Sequence, residues 1–131
     1  MGTDDALDTT RLPRVVLDES EMADAVDDPE AAGAVWRLEP SDRELDANLI
    51  ALPAGDGIAE HAGADVDVLI HVIAGSGTLR TAAGEIALTP GQIVHLPRRA
   101  RRAILAGHEG LRYLSVHRRK ETKPLMPAVP Q

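Results

Sequence analysis

His61, His71, His95, His108 and His117, the arginines Arg98, Arg99, Arg101 and Arg102, and the carboxylates of Glu60, Asp65 and Asp67 are the side chains best able to do chemistry here. An imidazole titrates near neutrality and ligates divalent transition metals, so grouped histidines would give a metal centre, a pH sensor or a general base. A guanidinium stays protonated, and its planar fork matches a carboxylate or a phosphate. Other chemistries are excluded at once. With no cysteine, the chain has no disulfide, no thiolate nucleophile and no zinc–thiolate site. It lacks a Gly-Lys-Ser/Thr phosphate loop, and Gly75-Ser76-Gly77 reads as a hairpin turn rather than a nucleophile elbow.

The 131 residues fit one domain, large enough to bury a core without staples. The net charge of −7 is unevenly spread: residues 1–60 carry 16 acids against 4 arginines, whereas residues 98–131 carry 9 basic residues against Glu109 and Glu121. A basic end attracts nucleic acid by counterion release. Trp36 and Tyr113 are the only aromatics, however, too few for a platform on which bases stack. The two ends are expected to complement each other within the fold or across a dimer, and no nucleic-acid partner is expected. No apolar run approaches the roughly 18 residues of a membrane span, so no membrane partner is expected either. The acidic start, Met1 to Asp5, argues against a secretory signal, and Ala6 stands where a myristoylation signal has Ser or Thr. A cytoplasmic location is the expectation.

These side chains need elements to position them. Residues 1–13 are polar and aperiodic and read as an arm; residues 119–131, with three prolines, read as a tail; residues 14–118 form the domain. Ser20 can cap a short helix over Glu21–Val26, which Asp27-Asp28-Pro29 ends. Val35–Leu38 and Leu45–Leu52 read as strands, the second broken by Pro53–Gly57. Strands follow at 66–74, 78–81, 85–88, 92–96, 101–105 and 111–117, with turns at Gly75–Gly77, Ala83-Gly84, Thr89–Gly91 and Gly107–Gly110. Such punctuation predicts an all-β sandwich or barrel. Along 66–73 the even positions Val66, Val68, Ile70 and Val72 are wholly apolar, so they should face the core and His71 should face away from it.

The stretch from Gly55 to Arg102 resembles the two signature motifs of the cupin superfamily. The first runs Gly, five residues, His-x-His, three or four residues, Glu, six residues, Gly. Here Gly55 is followed after five residues by His61, and Gly75 closes the strand. The second runs Gly, five residues, Pro-x-Gly, two residues, His. Here Gly91 is followed after five residues by Pro97, and Arg99 stands where the second glycine is usual. The resemblance implies a cupin-type jelly-roll β-barrel in which two His, one Glu and a later His converge on one metal ion. His61 occupies the first of these positions. Gly63 occupies the second, Val68 the third and Arg102 the last, with Asp67 one residue from the third and on the opposite face. A single imidazole cannot hold a divalent transition metal against water. Rebuilding a centre would require Glu60, Asp65 or another histidine to swing in.

The resemblance further implies that Arg102 projects into the barrel mouth near His61. A buried guanidinium without a partner is expensive, so Arg102 is expected to face a protein carboxylate such as Glu60, or an anionic ligand. The expected ligand-binding residues are thus His61, Arg102, Glu60 and Arg99, with no catalytic residue assigned, no metal and no cofactor. The expected function is binding of a small polar or anionic organic molecule in the barrel. The alternatives are an oxygenase- or isomerase-type enzyme using His61 with one divalent transition metal ion, and an interaction module with a filled barrel. His71 and His95 should lie on neighbouring strands of the outer sheet face, where cupins commonly dimerise, and a homodimer is expected. No role follows for His108 or His117.

Overall fold

The computed structural model describes residues 12–18 and 32–119. The helix expected at 21–26, nearly all of the arm and all but Arg119 of the tail lie outside the described residues. Seven strands follow in order: β1 (Gly33–Arg37), β2 (Leu45–Leu52), β3 (Gly57–Ala62), β4 (Val68–Thr81), β5 (Gly84–Leu88), β6 (Ile93–Leu96) and β7 (Arg101–Arg118). The fold is all-β and every pairing is antiparallel.

Two long strands build both layers of the barrel. The first half of β4 pairs with the second half of β7, from Val68↔His117 to Gly75↔Leu111, and is flanked by β6 on one side and by β2 and β1 beyond β7 on the other. The second half of β4 pairs with the first half of β7, from Gly77↔Ala106 to Thr81↔Arg102, flanked by β5 and β3. Register breaks at Val72/Ala74 and Gly75/Gly77 bend β4 from one layer into the other. Gly75 and Gly110 meet at this crossing with φ of 82° and 77°. A Cβ on Gly75 would strike the Gly110 carbonyl oxygen. Only glycine meets both demands, left-handed backbone and close approach of two chains.

The expected turns at Gly75–Gly77 and Gly107–Gly110 are therefore corrected: both lie inside continuous strands that change layer. Glycine marks bulges as well as turns, and only long-range pairing separates the two. β3, Gly57–Ala62, is a strand that the sequence reading did not assign. The alternation into and along the start of β4 is as expected, with Val66, just before the strand, and Val68, Ile70 and Val72 buried and Leu69 48% exposed. Val68, Ile70 and Val72 join Leu52, Leu79, Leu88, Leu96, Ile104, Ala106, Leu111 and Tyr113 to make a core between the layers. Full burial of one such aliphatic side chain contributes roughly 1.5–3 kcal/mol.

Candidate ligand site at the barrel mouth

The mouth is built where β3 meets the start of β7. His61 and Arg102 are direct partners on this ladder. Arg102 shares its face with Ile104 and Ala106 two and four residues on, both in the core, so the pair faces inward. The ladder extends past its last strand pair through Gly63 N–H to Ala100 O at 3.1 Å and Arg99 N–H to Ala64 O at 2.8 Å. The turn after Pro97 closes with Ala100 N–H donating to Pro97 O at 3.1 Å, and Arg99 takes a φ of 63°. An arginine thus holds the left-handed conformation that glycine would adopt without strain.

Asp67 clamps this turn from outside the barrel. Its carboxylate accepts the Arg98 backbone N–H at 2.9 Å and the His95 Nε2–H at 3.2 Å. The Arg98 N–H, with the His95 ring in second place, holds the Asp67 carboxyl below its usual range.

Arg102 is half-buried, and its Nη1 donates to Ala100 O at 3.3 Å. Among the described residues it has no carboxylate partner. Its guanidinium lies against Gly63. Tyr113 faces it from the other layer, on a rung with Ile50 and Val72. Burial pushes the Tyr113 hydroxyl up to about 12, and the Arg102 charge opposes part of that rise. The next rung on the same inner face carries Asn48 and Ser115 beside Ile70 and Val94. The interior thus grades from aliphatic, at Leu79, Leu88 and Leu111, to polar at the mouth. His61 is exposed, and its Nδ1 lies 2.9 Å from Ala59 O. A carbonyl only accepts, so Nδ1 carries the hydrogen and a neutral ring offers its lone pair at Nε2.

The structure brings His61 and Arg102 together but takes Glu60 and Arg99 elsewhere. A register break between Ile58 and His61 turns Glu60 to the outer face, where it pairs with Arg101 at 2.9 Å. Arg99 is exposed and lies 3.6 Å from Asp65. Val68 is buried among aliphatic residues, Gly63 has no side chain to ligate a metal, and among the described residues no three His, Asp or Glu side chains are grouped to hold one. The donor set does not fit the metal that such barrels commonly hold. His71 and His95 share the outer face as expected but sit two rungs apart, His71 opposite Ile93 and His95 opposite Leu69. The His95 ring is turned to Asp67. His117 Nδ1 donates to Arg118 O at 2.8 Å, and His108 is exposed. A hollow of about 390 Å³ is lined by Gly57, Glu60, Thr78, Arg80, Ala103 and Leu105, and its lining includes neither His61 nor Arg102. Tyr113 is the residue near Arg102 that linear motifs do not reveal.

No protein-family model and no curated protein matches the sequence. Solved structures do match. The cupin domain of Cnp3 from Schizosaccharomyces pombe superposes with a TM-score of 0.58 at 16% identity, covering 65% of this chain and 59% of that one. A cupin superfamily protein from Desulfitobacterium hafniense gives 0.56 at 20% identity, over 63% and 73% of the two chains. A cupin-2 domain protein from Shewanella frigidimarina gives 0.60 at 17% identity, over 79% and 95%. Identities this low speak for architecture alone, and on that architecture, with its two long strands crossing between layers, the chain has the cupin fold.

Proposed function

We propose that this protein binds a small anionic organic molecule at the barrel mouth, without a metal centre. One observation carries the reading: a half-buried, inward-facing Arg102 that, among the described residues, has a carbonyl and no carboxylate as partner. A guanidinium placed there costs desolvation free energy that a bound carboxylate or phosphate would offset. His61 is its partner across the ladder, Tyr113 lies close enough for the Arg102 charge to act on its hydroxyl, and the aliphatic interior lowers the local dielectric and strengthens the attraction.

The test is a panel of small carboxylates and phosphates screened by thermal shift and quantified by calorimetry. A hit should raise the melting temperature of the wild type and lose that effect in Arg102→Ala. A hit that Arg102→Ala retains would sink the assignment. Metal analysis of protein purified without chelator addresses the enzymatic alternative: near-stoichiometric metal, lost in His61→Ala, would favour a metalloenzyme instead.

A second reading, an interaction module with a filled barrel, has one observation in its favour: the core between the layers is almost wholly aliphatic. It predicts that no panel member binds. The homodimer belongs to either reading. Leu69 and Ile93, 48% and 70% exposed on the outer face, are residues a second copy would cover, and sedimentation of the wild type against Ile93→Glu tests this.

A further inference from the structure

Position 63 is occupied by a glycine that the backbone does not require. Its φ is not among the left-handed values found at Gly33, Gly55, Gly75, Gly84, Gly91 and Gly110. Its N–H is an ordinary ladder donor to Ala100 O. What the glycine supplies is room. A Cβ there would overlap Nη1 of Arg102, lie 2.6 Å from Cζ and stand 3.2 Å from Nη2. All three atoms belong to one guanidinium.

The register explains the contact. Arg102 stands opposite His61, so residue 63, two positions further along the same strand path, is its diagonal neighbour on the same face. Diagonal neighbours are within reach of long side chains. The Ala100 carbonyl accepts both the Gly63 N–H and Arg102 Nη1, at 3.1 and 3.3 Å, and so fixes the guanidinium to the loop it rests on.

We infer that Gly63 is a positioning residue: the side chain it lacks leaves the slot that seats the Arg102 guanidinium, and this seat commits the mouth to a carboxylate-bearing ligand. The assignment of ligand class rests on the anion-binding reading above; the seat itself does not. A fixed planar fork, held by one edge at Ala100 O and backed by Gly63, leaves its remaining N–H groups for a planar two-oxygen acceptor. Any side chain at 63 pushes the fork away without straining the main chain, because the atoms it meets are the end of a flexible side chain.

The experiment uses Gly63→Ala and Arg102→Ala in the full chain, with oxalate as the probe. Arginine side-chain N–H resonances are recorded, that of Arg102 being assigned by its loss in Arg102→Ala. Gly63→Ala should remain folded, shift the Arg102 resonance, and weaken oxalate binding by about tenfold or more, approaching Arg102→Ala. If the resonance stays in place and oxalate affinity is unchanged in Gly63→Ala but lost in Arg102→Ala, the seat is wrong and the anion-binding reading stands. If oxalate binds the wild type and Arg102→Ala equally, the carboxylate assignment falls, and the resonance in Gly63→Ala alone decides the seat.

Discussion

The Asp67 carboxylate grips the backbone N–H of Arg98, 31 residues further along the chain, at 2.9 Å, and through it fixes the turn that delivers Arg102 to the mouth. His95 adds a second bond at 3.2 Å. Asp67 lies on the outer face, so this clamp ties the outside of one layer to the geometry of the interior.

The clamp has a pH signature. The Arg98 N–H, then His95, lower the Asp67 pKa in the folded protein below its ordinary 3.8. A depressed carboxylate contributes stability above its unfolded pKa and loses it as pH falls through the folded value. Wild type should therefore melt higher than Asp67→Ala at neutral pH, and the two melting temperatures should converge below pH 3.8. Melting curves across that range check it; a gap that persists unchanged into acid would show that the carboxylate charge is irrelevant.

Arg99 should be replaceable with profit. Its φ of 63° is strained for any side chain with a Cβ, and its own contact is an exposed 3.6 Å pair with Asp65. Exposed pairs contribute little. Arg99→Gly should stabilise the fold by about 0.5–1 kcal/mol, while Arg99→Ala, which keeps the Cβ, should not. Denaturant unfolding of both variants separates relief of strain from loss of charge.

The strand content was largely legible because alternation reports burial directly. Leu45–Leu52 stands as the pattern predicts, and so does the inward face of Val66 to Val72. β3 was hidden because Ile58 is its only bulky apolar residue and the break before His61 interrupts its alternation. That same irregularity sends Glu60 outward, which spacing alone had no means to register. The His61–Arg102 rung could be anticipated from motif spacing. So could the nearness of Gly63, which stands at the second of the converging positions; the electrostatic contact of Arg102 with Tyr113 could not, since it crosses between layers.

Tyr113 offers a reporter for the interior. It is the only tyrosine, so phenolate absorbance titrates this one group. Burial raises its pKa from 10.0 to about 12, against the pull of Arg102. A raised folded value means stability that is intact below pH 10.0 and lost as pH rises through about 12. Tyr113→Phe should shift alkaline unfolding to higher pH, and Arg102→Gln should push the Tyr113 titration higher still. An unmoved titration in Arg102→Gln would mean that the two groups do not share a space.

The missing metal posts can be restored. His61 already faces the mouth, residue 63 is its neighbour on the same face, and residue 102 stands directly opposite. Gly63→His combined with Arg102→His removes the guanidinium that fills the slot and puts three imidazoles around the space it leaves. Three nitrogen donors suit a divalent transition metal, with remaining positions open to water. Arg102→His also removes a fixed positive charge that would repel a cation. Calorimetry with Ni²⁺ should give one site per chain in the double variant and none in Arg102→His alone, because two imidazoles hold the ion too weakly. Should Gly63→His and Arg102→His together bind no better than the wild type, residue 63 would not face the space that His61 and Arg102 share.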